Sequence, residues 1–336
     1  MSDRMNAIVD FLKGTNWADA NIAPLAGDAS NRRYMRLFMP KTGDMAVLMD
    51  APSDKGEDVR PFVHIAKYLA SVGLSPPRVF AKDLDQGFLI LEDLGDDLFA
   101  RVVANTPRKE DLLYLTATDA LAALHQNAPP IGLGTYSPKL MADLAALAFD
   151  WYAASLTDVD PGTRAWFLEN IIPVFETHCP DADVLIQRDY HAENLLWLPD
   201  RQGVKRVGLL DFQDALCGHR AYDLVSLLQD ARRDVPAAVE ATMIAHYVAT
   251  TDQDATMFEA AYRVLGVQRN MRILGVFARL CIRDGKPHYI DLIPRVWDHL
   301  MADLLHPALS DVSEVVLQNL PEPTPENLSK LKNQCA

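Results

Sequence analysis

Asp189, Asn194 and Asp211 have the residue types and spacing that phosphoryl transfer needs. Asp189 begins a D-x-x-x-x-N segment that ends at Asn194, set between the apolar runs Leu185-Ile186 and Leu195-Leu196-Trp197. Asp211 closes a further short apolar run, Val207 to Leu210, and opens Asp211-Phe212-Gln213. The reaction needs a carboxylate to orient the attacking hydroxyl. It also needs oxygen ligands for Mg²⁺, to offset charge on the β- and γ-phosphates. One rigid turn would supply the base, Asp189, and one metal ligand, Asn194. Asp211, at the end of a strand, would supply the second ligand. Asp and Asn also form turns and helix caps, and D-x-x-x-x-N alone occurs by chance in an acidic chain. The flanking strands and the downstream Asp211 make the pattern specific.

The elements around these residues change character along the chain. Tyr34 to Met39 and Met45 to Met49 read as a hairpin turned by Pro40-Lys41-Thr42-Gly43-Asp44. A helix is expected from about Asp58, with Pro61 in its first turn, Phe62, Ile65, Ala66 and Leu69 on one face, and Gly73 at its end. Arg78 to Ala81 and Phe88 to Glu92 form a second hairpin around Asp85-Gln86-Gly87. Beyond Gly95 the pattern is helical, starting at Thr106-Pro107 and recurring over Thr163 to Glu176, Ala221 to Arg232, Pro236 to Thr250 and Ala255 to Arg283. The pattern predicts an α+β protein, with a small sheet-rich domain over residues 1–93 and a larger helical one over 94–336. Ligands favour such junctions. The stretch from Pro321 to Ala336 is expected to wrap loosely or fray.

The 336 residues are 49% hydrophobic and 23% charged, ordinary for a globular protein. Net charge is −14, which disfavours nucleic acid and anionic lipid surfaces as partners. Cys179, Cys217, Cys281 and Cys335 lie far apart with no C-x-x-C spacing, so reduced thiols are expected rather than a zinc site or disulfide framework. Met1 to Lys13 carries acidic residues within a short apolar run and does not read as a secretory signal. With no apolar stretch of membrane-spanning length, a cytoplasmic location is expected.

Gln187-Arg188-Asp189-Tyr190-His191-Ala192-Glu193-Asn194, with Leu209-Leu210-Asp211-Phe212-Gln213, resembles the catalytic and metal-binding loops of aminoglycoside phosphotransferases and choline kinases. Ala221-Tyr222-Asp223-Leu224 is similar to that superfamily's A-Y-D-L segment, and Leu121-Ala122-Ala123-Leu124-His125 to its L-A-x-L-H helix end. Several further segments narrow the likeness: Gly27-Asp28-Ala29-Ser30 with Arg32-Arg33-Tyr34, Val47 to Pro52, Leu91-Glu92-Asp93-Leu94-Gly95, Gly275 to Leu280, and Arg283 to Lys286. Together they resemble bacterial anomeric amino-sugar kinases, which phosphorylate N-acetylmuramate or N-acetylglucosamine in cell-wall recycling.

The resemblance implies a protein-kinase-like two-lobed fold, a small antiparallel-sheet N-lobe and a large, mostly helical C-lobe. It implies ATP and Mg²⁺ as cofactors and a small-molecule acceptor, an amino sugar. Asp189 would be the base, Asn194 and Asp211 the metal ligands, and Glu92, Asp93 and Leu94 the hinge whose backbone pairs with adenine. Gly27, Asp28, Ala29 and Ser30 would cover the phosphates, and Asp223 would support the loop from behind. His125 and Tyr222 read as packed core groups.

Two departures from the family pattern stand out. Gln187 replaces a histidine two residues before the catalytic aspartate, and its amide can also donate and accept. More consequentially, Ala46 to Asp50 lacks the usual phosphate-binding lysine, so another cation is needed; Arg33 and Arg36 are the candidates. His191 could contact substrate or be satisfied by backbone. Arg269, Arg272 and Arg279 could line an acceptor pocket, where an arginine suits a substrate carboxylate, or form ion pairs on a solvated face. The alternatives are a kinase for an aminoglycoside or a choline-type amine, and a nucleotide-binding scaffold without turnover.

Overall fold

The structure, a computed structural model, describes residues 3–25 and 31–336. It opens on a helix and a strand absent from the sequence-based expectation, α1 (Asp3–Lys13) and β1 (Asn21–Pro24). Ile8 and Leu12, one turn apart, are the buried residues of α1. The first expected hairpin follows as β2 (Arg33–Phe38) and β3 (Met45–Asp50). Helix α2 (Arg60–Ser71) buries Phe62, Ile65, Ala66 and Leu69, and Gly73 adopts a left-handed φ of 87° just beyond it. Strands β4 (Val79–Asp83) and β5 (Phe88–Glu92) make the second hairpin, and α3 (Phe99–Asn105) comes next.

Thr106-Pro107 opens a 3₁₀ turn over Pro107–Lys109, so α4 (Glu110–Leu124) begins three residues later than the proline suggests. After α5 (Pro138–Ala145) and α6 (Pro161–His178) come four short strands: β6 (Val184–Ile186), β7 (Leu195–Trp197), β8 (Val207–Leu209) and β9 (Leu216–Gly218). The remaining helices are α7 (Tyr222–Leu228), α8 (Ala237–Thr251), α9 (Ala255–Ile282), α10 (Ile293–Leu304), α11 (Ser310–Asn319) and α12 (Pro325–Lys332).

The chain forms two compact units. One consists of Met1–Asn105 with Glu193–Asp214, the other of Thr106–Ala192 with Ala215–Ala336. In the first, an antiparallel sheet runs in the order β1-β2-β3-β5-β4. Ile8 and Leu12 of α1 pack on Met35, Leu37, Ala46, Leu48, Phe88 and Ile90 of that sheet. Residues 193–214 join this unit because the β7–β8 hairpin is bonded into it. Leu209 N donates to Ser75 O at 3.0 Å, and Trp197 N donates to Asp97 O at 2.7 Å. Phe212 stacks on Phe62, with ring centroids 4.8 Å apart.

The second unit is helical and contains the two-stranded β6–β9 sheet. Its spine, α9, is buried from Phe258 to Cys281 along much of its length. Gly275 permits close approach to the segment after α5: a Cβ there would lie 2.3 Å from the Leu147 carbonyl carbon and oxygen. The C-terminal stretch differs from expectation. Thr324 caps α12 by accepting from Asn327 N, Leu331 is fully buried, and Cys335 is disulfide-bonded to Cys281. The buried Leu331 and the sulfur bridge tie the end of the chain down, so the expectations of a frayed tail and four reduced thiols are corrected here. Cys179 and Cys217 are free.

Candidate active site

Strand pairing within the first unit brings Asn194 and Asp211 together. Leu195 pairs with Leu209 in the β7–β8 ladder, which sets Asn194 opposite Leu210, and Leu210 N donates to Asn194 O at 3.0 Å. Asp211 follows directly in a left-handed conformation, φ 54°, which Asp tolerates better than most residues. Buried Phe212 fixes the turn, and Gln213 Nε2 donates to Asp211 Oδ1 at 2.6 Å. An amide and a carboxylate oxygen, held on adjacent strand ends, fit the hard-oxygen preference of Mg²⁺.

Glu92, Asp93 and Leu94 leave the end of β5 in the same unit. Glu92 N donates to Arg78 O at 2.8 Å, and the Glu92 carboxylate pairs with Arg201 at 2.8 Å and Arg78 at 3.2 Å. Asp93 accepts from Gly95 N at 2.9 Å and from Arg36 Nε at 2.6 Å. Arg36 also donates through both Nη atoms to Asp96, each at 3.0 Å. Arg33 is bound to Asp50, which also accepts from Arg4 Nε at 2.8 Å and Nη2 at 2.6 Å. Gly27, Asp28, Ala29 and Ser30 lie outside the described residues.

Asp189 belongs to the second unit, on the loop after β6. Arg188, just before it, has φ 73°, rare for a long side chain. Asp223, fully buried at the start of α7, accounts for that strained turn. Its carboxylate accepts Gln187 N at 2.6 Å and Arg188 N at 2.9 Å, and Ser226 Oγ donates to Arg188 O at 3.3 Å. Strain held this way marks functional loops. Burial raises the Asp223 carboxyl to about 7, against the pull of those two donors. Tyr190 OH donates to Ala117 O at 2.9 Å and anchors the loop's far side.

Burial alone would raise Asp189. The charges of Arg272, Arg269 and Arg188 outweigh it and hold the carboxyl below its ordinary range. Arg269 is 3% exposed and donates through Nη2 to Ser226 Oγ at 2.9 Å. Arg272 donates to Tyr222 OH at 3.2 Å. The solvated-face reading is therefore corrected for Arg269, which α9 turns into the unit's interior, while Arg272 is partly buried and held by Tyr222. Arg279 is likewise only partly buried, and its pKa is lowered, mainly by that burial. Burial lowers His191 to about 4, which keeps it neutral at physiological pH, and its Nε2 lies 3.3 Å from Arg232 Nη1. His125 is buried, and its Nδ1 lies 2.6 Å from Tyr247 OH, as expected of a packed core histidine.

The sequence reading gave no role to Arg32. Its Nε donates to Glu57 Oε2 at 2.8 Å, and its Nη1 lies 3.9 Å from Asp211 Oδ1. The available signal was its place immediately after residues 27–31. For Glu57, 25 residues on, there was none.

The profile of the family described as "Phosphotransferase enzyme family" matches residues 21–258. An N-acetylmuramate/N-acetylglucosamine kinase from Caulobacter vibrioides is 38% identical, across 93% of this chain and 95% of its own. One from Pseudomonas aeruginosa is 34% identical, across 90% and 89%. Among solved structures, the GDP complex of an aminoglycoside 2'-phosphotransferase-IIIa variant is similar at TM-score 0.61 and 17% identity, covering 90% of this chain and 97% of that one. A choline/ethanolamine kinase family protein from Mesorhizobium loti aligns at TM-score 0.58 and 14% identity, over 98% and 99%. These two share the protein-kinase-like fold that the sequence implied. The chain is a kinase, and it belongs to the phosphotransferase enzyme family.

Proposed function

We propose that this protein uses ATP and Mg²⁺ to phosphorylate the anomeric hydroxyl of N-acetylmuramate or N-acetylglucosamine, a step of cell-wall recycling. The observation that carries the reading is the half-buried, ionised Asp189 among arginines, on a loop that Asp223 clamps from behind. The activity of the two kinase relatives supports the choice of acceptor.

Residues 1–93 cover the nucleotide in this reading, and residues 94–336 carry the catalytic loop and the acceptor site, with 193–214 supplying metal ligands. The backbone of Glu92 to Leu94 takes the adenine. Asn194 and Asp211 hold Mg²⁺, which when bound neutralises charge on the β- and γ-phosphates. Asp189 accepts a hydrogen bond from the acceptor hydroxyl and takes its proton as the bond to phosphorus forms. The carboxylate is already ionised, because the surrounding cations hold its pKa down. Arg272 and Arg269 give the acceptor side a positive character, which suits the carboxylate of N-acetylmuramate. A cytoplasmic location goes with this reading, because ATP is the phosphoryl donor. Among the described residues no helix is long and apolar enough to cross a membrane.

The test is ADP release from MgATP with N-acetylmuramate, N-acetylglucosamine, an aminoglycoside and choline in parallel. Release that depends on the amino sugars, with the product labile at its anomeric phosphate, is the expected result. Release only with the aminoglycoside or choline would move the acceptor to that class. Release with none of them would remove the proposed activity.

A further inference from the structure

The strand that would ordinarily carry a phosphate-binding lysine instead ends, at Asp50, in a buried acid. Asp50 is 0% exposed and engages Arg4 from α1 together with Arg33. Alternation along β2 explains this use of Arg33. Met35 and Leu37 face the core that α1 covers, and Arg33 shares their side of the strand. Tyr34 and Arg36 take the other side, and Arg32, one residue before the strand, continues that side. Arg36 is held by four hydrogen bonds to Asp93 and Asp96.

Arg32 differs from both. Its side chain and that of Glu57 are each 13% exposed. Glu57 grips the Nε side of the guanidinium at 2.8 Å, and its other oxygen accepts Asn31 N at 3.2 Å. The Nη1 side reaches to 3.9 Å from Asp211 Oδ1. A planar guanidinium fixed along one edge, with the other edge beside a metal-binding carboxylate, suits phosphate oxygens.

We propose that Arg32, oriented by Glu57, is the cation that contacts the nucleotide phosphates in place of the absent strand lysine. This rests on the reading of Asn194 and Asp211 as the metal-binding half of an ATP site. Glu57 is a positioning residue, since it would act only through Arg32.

The experiment is calorimetric titration of the full chain with MgATP, MgADP and adenosine, with thermal unfolding of each unliganded variant as a control of folding. Arg32→Ala is expected to weaken both magnesium nucleotides by about 10- to 100-fold and to leave adenosine affinity unchanged. Arg32→Lys should recover part of the loss. Glu57→Gln should give a smaller loss of the same kind. Arg32→Gln, which keeps a donor for Glu57, replaces the alanine variant if that one does not fold. A folded Arg32 variant with wild-type MgATP affinity would overturn the proposal, as would an equal loss of adenosine affinity. So would a loss in Arg33→Ala or Arg36→Ala that Arg32→Ala does not share. Failure of the wild-type protein to bind either magnesium nucleotide would instead overturn the ATP reading itself, and this inference with it.

Discussion

Around the candidate site residues, the two compact units handle charge in opposite ways. In the unit built on the five-stranded sheet, arginines are matched to carboxylates one cluster at a time: Arg32 with Glu57, Arg33 and Arg4 with Asp50, Arg36 with Asp93 and Asp96. Around the loop after β6, in the helical unit, several arginines instead gather on one half-buried carboxylate. Arg188, Arg269 and Arg272 all act on Asp189, and Asp223 is spent on the backbone of its loop. The first arrangement fixes geometry while leaving little net field. The second leaves a positive surplus that keeps one base ionised and favours an anionic ligand. The residues read as nucleotide and metal ligands lie in the first unit, and the residue read as the base lies in the second.

The sharpest way to break this contrast is Asp189→Ala. If chemistry resides in the helical unit and nucleotide binding in the other, kcat should fall by about 10²- to 10⁴-fold. The thermal stabilisation that MgATP gives the protein should persist. Turnover near the wild-type rate would remove Asp189 from the mechanism. Loss of MgATP stabilisation in a folded variant would show that the two tasks are not separable.

The contrast also explains what the sequence made legible. Asp189, Asn194 and Asp211 were recognisable because each lies close to a short apolar run, and β6, β7 and β8 form where those runs are. The hairpins and α2 were legible for the same local reason: turn residues and a single buried face announce them. Long-range pairing carried no such signal. Nothing in Arg269 or Arg272 distinguishes a buried helix position from a solvated one when the partners, Ser226 and Tyr222, are 43 and 50 residues away. The Glu57 partner of Arg32, the Cys281–Cys335 bridge and the packing of α1 on the sheet were hidden in the same way. Asp223 was legible through its motif, although the two backbone donors it serves were not.

A smaller effect probes the cost of burying charge in the helical unit. Asp303 of α10 is 0% exposed and accepts from Arg263 and Gln229, each at 3.1 Å. Burial still raises its carboxyl from 3.8 to about 7. A carboxyl raised on folding contributes stability that is fully present below about pH 4 and is lost as pH rises through 7. Between pH 5 and pH 8 this group should cost the wild-type protein about 3 kcal/mol of unfolding free energy. Asp303→Asn removes the ionisation while keeping the shape, so the variant should gain on the wild type by that amount over the same interval. Denaturant unfolding at the two pH values measures it. A constant difference between the proteins would mean that Asp303 is ionised throughout, and that Arg263 compensates its burial fully.

The smallest expected effect is the most discriminating for the acceptor. Arg272 is only partly buried, bonds to Tyr222 OH, and heads the charges that act on Asp189. If it meets a substrate carboxylate, its loss should be felt by N-acetylmuramate, which has one, and much less by N-acetylglucosamine, which has none. Arg272→Gln keeps a donor for Tyr222 and removes the charge. KM for N-acetylmuramate should rise by about tenfold, the value of one charge-assisted hydrogen bond, while KM for MgATP stays unchanged. A purely structural arginine would shift both sugars alike. Loss of an arginine needed only to keep Asp189 ionised would lower kcat for both sugars toward acid pH, with no change in their ratio. The comparison of two sugars in one variant therefore separates recognition from support, which neither sugar alone would do.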